Sequence, residues 1–228
     1  MKINPTWQTD DGRVKLWLGD CLDVLPTLAA GSVDAVVTDP PYGVSYSSGW
    51  DNEFKDVRIA GDETTAARDA ALSMMRHVPA IVFGSWKAPK PNGVKMVLIW
   101  DKGTVGMGDL SLPWFPSTEE IYVIGRGFVG SRTSSVMRHW VRNKHHPTEK
   151  PEALMVELAE KCPGEAILDP FMGSGTTGVA AVRLGRQFLG CETDPTHYET
   201  AKRRIIAELE RMPLFEDKPV YRQEALLT

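Results

Sequence analysis

A short apolar run that ends in two prolines constrains the fold of this chain more than any other stretch. Residues 33–38 read Val, Asp, Ala, Val, Val and Thr, which predicts a buried strand. The next residues are Asp39, Pro40, Pro41 and Tyr42. Because each proline fixes φ and lacks an amide donor, the turn after the strand is stiff. We therefore expect a carboxylate and an aromatic ring at the edge of a sheet, where α/β proteins bind their ligands.

The composition is that of an ordinary soluble globular protein. Its 228 residues are 42% hydrophobic and 25% charged, which is enough to bury the core of one domain. The first residues are polar and no apolar run approaches the roughly 20 residues of a membrane helix, so neither a signal peptide nor a membrane span is predicted. A formal charge of −4 disfavours nucleic acid as a partner unless a basic patch is local.

The cysteines and histidines favour a reducing compartment and no metal site. Cys21, Cys162 and Cys191 are odd in number and include no close pair, which argues against a disulfide framework and a structural zinc site. His145 and His146 lack a cysteine or carboxylate at the spacing that metal ligands need. We expect a cytoplasmic protein without a metal.

Strand and helix patterns alternate along the chain, which predicts an α/β protein with a mostly parallel, doubly wound sheet. The predicted strands are residues 14–18, 34–38, 80–83, 95–100, 120–124, 166–168 and 187–191, and the predicted helices are residues 21–30, 64–77, 152–161, 178–184 and 198–211. The first two strands are expected to be parallel neighbours, because a short crossover joins them. Thr148 is the predicted N-cap of the helix over 152–161. The irregular residues 44–61 predict a long loop over the sheet edge.

A second glycine-containing turn runs from Asp169 to Thr177, between a predicted strand and a predicted helix. Gly173 and Gly175 would let the backbone approach a ligand, and the helix N-terminus supplies free amides. Glu192 ends the next strand, where an acid can accept hydrogen bonds from ribose hydroxyls. The alternative is that the turn only packs a helix onto a sheet.

One detail separates this turn from ATP sites. No Gly-Lys-Ser/Thr run follows, so the turn lacks a lysine that grasps phosphates. Gly173, Gly175 and Gly178 have the spacing of a dinucleotide fingerprint, and the cofactor expected here is a nucleoside without a pyrophosphate.

Together, these motifs identify a family resemblance. Residues 39–42 and the Phe-x-Gly-x-Gly run over 171–175, with His-Pro-Thr-Glu-Lys-Pro at 146–151 between them, resemble the S-adenosylmethionine-dependent amino-methyltransferases of DNA. Because the catalytic turn precedes the cofactor turn, the order is similar to the circularly permuted β class. The resemblance implies one Rossmann-like methyltransferase domain over 1–228, with a catalytic half at 14–125, a target-recognition segment at 126–146 and a cofactor-binding half at 147–212.

The resemblance also implies a set of residues that bind S-adenosylmethionine. Those around the glycine turn would shape the methionine pocket, Glu192 would hold the ribose, Asp20 would lie at the adenine, and Thr148 and Lys150 would belong to the motif that closes the site. The full set is Asp20, Cys21, Asp39, Thr148, Lys150, Asp169, Phe171, Gly173, Ser174, Gly175, Thr176, Thr177 and Glu192.

The catalytic turn can be interpreted chemically. An exocyclic amine conjugated to a base ring is a poor nucleophile, so its lone pair must be drawn out of conjugation and held in line with a methyl donor. The Asp39 carboxylate and the Pro40 carbonyl can accept the amino hydrogens, and Pro41 stiffens the turn. The Tyr42 ring can stack on a flipped base, worth ~1–3 kcal/mol. The simpler alternative is a strand-end cap followed by an aromatic residue at the rim.

The first residue of the quartet indicates the target base. The turn of protein-glutamine and ribosomal-RNA methyltransferases usually begins with Asn, and within the family that this chain resembles a Ser would favour cytosine. Asp39 therefore favours the exocyclic amine of adenine in DNA. Two alternatives stay open, namely the exocyclic amine of cytosine and a non-catalytic DNA-binding protein with a residual cofactor pocket.

Residues 126–146 form a basic segment in an otherwise acidic chain. Trp140 could act as a stacking or wedge residue among cations that contact phosphates, or the segment could be a solvated loop. The cations are Arg126, Arg132, Arg138, Arg142 and Lys144. Since the segment is short, recognition is expected to be loose, or completed by residues 44–61 or a second subunit. The family resemblance also implies a bacterial or phage-encoded enzyme, from a restriction-modification system or an orphan.

Overall fold

The computed structural model of the protein describes residues 3–43, 64–103, 111, 113–140 and 150–211. Five predictions of the sequence fall on other residues and lie outside the described ranges. They concern the loop at 44–61, the His145-His146 pair, and the site residues Arg142, Lys144 and Thr148.

Strands and helices alternate, as the sequence predicts. The strands are β1 Trp7–Gln8, β2 Val14–Leu18, β3 Ala35–Thr38, β4 Ala80–Gly84, β5 Val94–Asp101, β6 Thr118–Ile124, β7 Val136–Arg138, β8 Ala166–Asp169 and β9 Gln187–Glu192. The helices are α1 Cys21–Val24, α2 Ala66–Met74, α3 Glu152–Glu160, α4 Thr176–Arg183 and α5 Pro195–Arg211, with a 3-10 turn at Leu25–Thr27.

The strands of the described ranges form one mixed sheet in the order β1-β2-β9-β8-β3-β4-β6-β5-β7. The five central strands from β2 to β4 are parallel, and so are β5 and β7. Only β1 and β6 run against their neighbours. The mostly parallel sheet is therefore confirmed.

Two apolar cores lie on opposite faces of the sheet. On one face, Leu154 of α3, Val179 of α4 and Ile205 of α5 belong to the same buried cluster. On the other face, Val24 of α1 and Ala71 of α2 belong to a second cluster. Helices on both faces make the sheet doubly wound, as predicted. No helix within the described ranges is long and apolar enough to cross a membrane.

The prediction that the first two central strands are neighbours is wrong. β2 pairs with β9 and β3 pairs with β8, so two strands from the end of the chain lie between them. A short crossover constrains the direction of two strands, but pairing partners are decided by long-range contacts. β8 and β9 lie between β2 and β3 because the order of the motifs along the chain is permuted. The last helix, α5, contacts β2 and places the last strand, β9, beside it.

Proline and capping account for the differences at helix ends. The helix predicted over 21–30 stops early and continues as a 3-10 turn, since Pro26 cannot donate the hydrogen bond of an α-helix interior. The prediction that Thr148 is the N-cap of α3 is wrong. The N-cap is Pro151, whose backbone is extended, and the helix begins at the next residue. The short edge strands β1 and β7 were not predicted, as neither shows an apolar alternation long enough to detect.

The direction of the strands brings distant segments to one place. The C-terminal ends of β2, β9, β8, β3, β4, β5 and β7 and the N-terminal end of β6 share one edge of the sheet. We call this the active edge. The residues that follow β3 and β8 at this edge are the two turns that the sequence singled out.

Candidate active site

The Asp-Pro-Pro-Tyr turn leaves β3 at the active edge. The Tyr42 hydroxyl donates a 2.6 Å hydrogen bond to Oδ1 of Asp39, which closes the turn on itself. Pro40 is buried, whereas 27% of the Asp39 side chain remains exposed. The carboxylate is therefore held in a set direction and still accessible to a ligand.

Lys150 lies against the same turn. Its Nζ is 2.7 Å from Oδ2 of Asp39 and 3.2 Å from Oε2 of Glu119, and it donates to the Tyr42 hydroxyl at 3.1 Å. The Lys150 side chain is 7% exposed, and its Nζ is also 5.0 Å from the centre of the Phe83 ring. Each of the three ammonium hydrogens thus has an oxygen to face. Lys150, predicted from the family to close the cofactor site, contacts the catalytic turn.

The charges of this cluster are coupled. Burial raises the pKa of Asp39, and the Glu119 carboxylate adds to this, although the Lys150 ammonium opposes it. Burial alone would raise the pKa of Glu119, but Lys150 and Lys102 outweigh it and the pKa is lowered. Burial opposes the charge on Lys150, yet the two carboxylates raise its pKa.

Tyr42 stays protonated in this environment. Burial, together with the negative charge of Asp39, raises the pKa of the phenol well above its usual value. A protonated hydroxyl donates to Asp39 and accepts from Lys150, so the polar end of Tyr42 is tied down. The ring has a fixed orientation beside the carboxylate.

The two glycines of the second turn differ in what surrounds them. Gly173 and Gly175 have φ of +51° and +83°, which other residues adopt at a cost. A Cβ on Gly175 would lie 2.7 Å from Cβ of Ala201 on α5, whereas a Cβ on Gly173 would meet nothing within 4 Å. Gly175 therefore lets α4 and α5 pack closely, and Gly173 exposes its backbone to open space.

Glu192 joins the glycine turn to the end of β2. Its Oε2 accepts a 2.9 Å hydrogen bond from the amide of Gly173, and its carbonyl accepts one of 2.8 Å from the amide of Gly19. Asp20, the next residue, caps α1 by accepting a hydrogen bond from the amide of Leu22. The acid predicted at the ribose and the acid predicted at the adenine thus come from adjoining segments.

Cys21 follows Asp20 and is buried. Burial raises the pKa of its thiol to about 12, so it is protonated at neutral pH and packs as a small apolar group. Cys162 and Cys191 are also buried, and all three cysteines are free. In the ranges that the structure describes, no cluster of three or more His, Cys, Asp or Glu side chains is arranged to hold a metal ion.

Asp169 ties the two turns together. Its carboxylate accepts hydrogen bonds from the hydroxyls of Thr38 at 2.7 Å and Thr177 at 2.6 Å, and from the amide of Phe171 at 3.1 Å. Thr38 is the last residue of β3, directly before Asp39. Asp169 is only 2% exposed, so its carboxylate makes these hydrogen bonds inside the protein and not with solvent. This buried link fixes the catalytic turn relative to the glycine turn.

Replacing Asp169 by Asn should make stability less dependent on pH. Burial raises the pKa of Asp169 from 3.8 to about 7, so the folded state holds its proton more tightly than the unfolded chain. This contribution to the free energy of unfolding is present below about pH 4 and is lost as the pH rises to about 7, with an upper size of roughly 4 kcal/mol. Urea unfolding at pH 5 and pH 8 should therefore show a smaller decrease for Asp169→Asn than for wild type. Equal decreases would contradict a raised pKa.

Ser174 and Thr176 are held from behind the turn. The Arg204 guanidinium donates to the carbonyl and hydroxyl of Ser174 at 2.9 and 3.1 Å, and to the Thr176 hydroxyl at 3.2 Å. It also pairs with Glu152 of α3 at 3.1 Å. Arg204 was not predicted. It joins α3, the glycine turn and α5, which keeps the turn rigid.

The basic segment is divided between two edges of the sheet. Arg126 follows the C-terminal end of β6, where Ile124 pairs with the first residue of β4, Ala80. Because β6 runs antiparallel, that is the edge opposite to the active edge, and Arg126 lies away from the catalytic turn. Its contact with DNA phosphates stays a prediction. Arg132 is exposed in the connection to β7.

Arg138 and Trp140 lie at the active edge, at and beyond the end of β7. Arg138 Nε donates to Asp101 at 3.2 Å, and its side chain is largely exposed. The Trp140 indole lies at Gly103, where a Cβ would overlap its ring nitrogen, and 61% of Trp140 is exposed. Arg138 therefore lies on a strand and Trp140 two residues beyond its end. The sequence left open whether this segment contacts DNA or is a solvated loop.

Sequence reasoning missed Glu119 and Lys102. Glu119 lies on β6, and Lys102 is the residue directly after β5. Oε1 of Glu119 accepts a 3.1 Å hydrogen bond from Nζ of Lys102. The two adjacent acids Glu119 and Glu120 were a visible signal, since neighbours on a strand face opposite sides of a sheet. Which of them faces the site could not be predicted without knowing that β6 lies beside β4.

A comparison with protein families agrees with this geometry. The model of a family described as DNA methylase matches residues 75–203, more than half of the chain. The chain belongs to the DNA methylase family. The resemblance stated from the motifs is thereby confirmed.

Individual relatives of this DNA methylase carry methylase names. YubD of Escherichia coli (strain K12), whose name describes a methylase, is 29% identical over 210 residues, covering 83% of this chain and 88% of that protein. The type II methyltransferase M2.DpnII of Streptococcus pneumoniae is 46% identical over 85 residues, covering 36% of this chain and 31% of that protein.

Solved methyltransferase structures share the fold of this DNA methylase. M1.HpyAVI in complex with SAM is 24% identical with a TM-score of 0.59, covering 84% of this chain and 99% of that one. The PvuII DNA methyltransferase, described as cytosine-N4-specific, is 14% identical with a TM-score of 0.65, covering 91% and 94%. At such identities the likeness shows the fold alone, and it confirms a Rossmann-like α/β class.

Proposed function

We propose that this DNA methylase transfers a methyl group from S-adenosylmethionine to the exocyclic amine of adenine in DNA. The observation that carries the proposal is the buried link from Thr38 to Asp169, at 2.7 Å. It joins the Asp-Pro-Pro-Tyr turn and the glycine turn on neighbouring strands, so an acceptor of amino hydrogens and a cofactor cradle face one space at the active edge.

The glycine turn fits the proposed cofactor. The backbone of Gly173 faces open space, and the nearby Glu192 carboxylate can accept hydrogen bonds from ribose hydroxyls. Asp20 adjoins Glu192 and is proposed to contact the adenine of the cofactor. When bound, S-adenosylmethionine supplies an electrophilic methyl on a sulfonium.

Asp39 and Pro40 are proposed to activate the amine. An exocyclic amino nitrogen becomes a better nucleophile when its hydrogens are held by acceptors outside the base plane. The Asp39 carboxylate is accessible and held in orientation by Tyr42 and Lys150. Each carboxylate oxygen keeps a lone pair after these contacts, so it can accept from a bound base.

Tyr42 is proposed to stack on the flipped base. Its hydroxyl is tied to Asp39 and Lys150, which leaves the ring as the part that a base can contact. Stacking of a base on an aromatic ring contributes ~1–3 kcal/mol and tolerates any base. Base choice therefore rests on the hydrogen-bonding groups, and Asp39 supports adenine.

Arg138 and Trp140 are proposed to contact DNA outside the flipped base. Both are exposed at the active edge, as a cation for phosphate and an indole for stacking. A second subunit could extend this narrow surface. Bacterial or phage-encoded enzymes of this kind would act in the cytoplasm, as one methyltransferase domain.

Labelled cofactor tests the proposal. Purified protein is incubated with duplex DNA and S-adenosylmethionine carrying a radioactive methyl group, and the DNA is then digested to nucleosides and separated. The expected label is on N6-methyldeoxyadenosine. Label on N4-methyldeoxycytidine alone would exclude adenine as the target, and label on neither nucleoside would contradict amino methylation.

A further inference from the structure

We propose that Glu119 is a positioning residue for methyl transfer, which acts through Lys150 to keep the Asp39 carboxylate oriented toward the amine. The inference rests on the proposed function of Asp39. Glu119 belongs to none of the motifs, and it reaches the site only because β6 inserts between β4 and β5.

The contacts show how Glu119 could act at a distance. Its Oε2 lies 3.2 Å from Nζ of Lys150, and that nitrogen lies 2.7 Å from Oδ2 of Asp39. Glu119 thus draws the ammonium away from sole contact with Asp39. Its other oxygen is held by Lys102 at 3.1 Å, which fixes Glu119 itself.

The charges support the same role. Asp39 and Glu119 are offset by Lys150 and Lys102, so the cluster is balanced. Without the Glu119 charge, an excess positive charge would stand beside the site of a cationic methyl donor. The Lys150 ammonium would then pair with Asp39 alone and compete with the amine for it.

Replacing Glu119 by Gln removes the charge and keeps the shape. We expect kcat to fall on the order of 10- to 100-fold, because a misplaced reacting group costs rate rather than binding. KM for DNA should change less than about threefold. Glu119→Asp, which retains the charge on a shorter side chain, should recover part of the loss.

Glu120→Gln is the matched control. Glu120 is the next residue on β6 and faces the other side of the sheet, where its carboxylate accepts from Tyr122 at 2.5 Å. Its kcat should remain within about twofold of wild type. The wild-type enzyme is assayed in parallel and must be active. If Glu119→Gln then has the same kcat as wild type, the inference is overturned and the proposed function is unaffected.

A titration separates positioning from a merely structural role. The groups facing Asp39 are Lys150, Glu119 and Tyr42, with Asp169 on the neighbouring strand and Lys102 behind Glu119. Since the Glu119 charge helps to raise the pKa of Asp39, Glu119→Gln should lower that pKa and move the acid limb of the kcat profile to lower pH.

Carboxyl NMR of the protein without DNA measures this shift directly. Aspartate labelled with ¹³C on its side chain reports each titration, and Asp39→Asn assigns the Asp39 signal. The Asp39 midpoint should fall in Glu119→Gln and stay in place in Glu120→Gln. An unchanged midpoint in Glu119→Gln would contradict the inference, whether or not the protein methylates DNA.

Discussion

Replacing Asp39 by Ala should lower the rate of methyl transfer on the order of 10³-fold or more, because it removes the charged acceptor of the amino hydrogens. Cofactor affinity should stay within a few fold, since the glycine turn and Glu192 are unchanged. Lys150 retains Glu119 as a partner at 3.2 Å, so the cluster does not lose its only counter-charge. Single-turnover kinetics with labelled cofactor, together with calorimetry of cofactor binding, measure both quantities.

Asp39→Asn is the matched control for this prediction. Its amide oxygen can still accept a hydrogen bond, while the charge that orients Lys150 is lost. We expect a rate between those of wild type and Asp39→Ala. Transfer at the wild-type rate by Asp39→Ala would contradict the role assigned to the turn.

Gly175→Ala should destabilise the fold by about 2–5 kcal/mol and abolish cofactor binding. The new Cβ would lie 2.7 Å from Cβ of Ala201, and the residue would keep a φ of +83°. Left-handed strain costs about 1–2 kcal/mol and overpacking about 1–3 kcal/mol. Thermal unfolding and cofactor titration by calorimetry give the two effects.

Gly173→Ala should separate these effects. Its Cβ meets nothing within 4 Å, so only the strain of a φ of +51° is added, about 1–2 kcal/mol. The methyl group would enter the space proposed for the cofactor, and the affinity should fall at least about 10-fold. Unchanged affinity would show that the cofactor does not approach Gly173.

Gly127 provides the control for backbone strain. It has a φ of +98° with nothing within 4 Å, and it lies beyond β6 at the edge opposite to the site. Gly127→Ala should cost at least as much stability, because a φ of +98° lies farther from the left-handed region that other residues adopt, and should leave cofactor affinity unchanged. If Gly127→Ala also lost cofactor affinity, backbone strain would explain the loss in Gly173→Ala, and a blocked cofactor site would not be needed.

The parts of the fold that follow local patterns were predictable. The runs that form β2, β3, β4, β8 and β9 are apolar and end in glycine or acid, so their place and type could be inferred. The pairing of β2 with β9 could not, since residues more than 170 positions apart meet through the core. β7 has three residues and was not distinguishable from a loop.

The site divides in the same way. Asp39 to Tyr42 and the glycine turn are contiguous motifs, so their presence could be inferred from the sequence alone. Glu119 and Arg204 reach the two turns from β6 and α5, and each looks like an ordinary surface charge in the sequence. Arg126 shows the converse, because its nearness in sequence to Arg138 does not bring it to the same edge.

Modification mapping of genomic DNA tests the central claim most directly. The wild-type protein and Asp39→Ala are expressed in cells that lack their own DNA methyltransferases, and modified bases are identified by single-molecule sequencing and mass spectrometry. The proposed function predicts N6-methyladenine with wild type and none with Asp39→Ala. N4-methylcytosine alone, or equal N6-methyladenine in both strains, would contradict it.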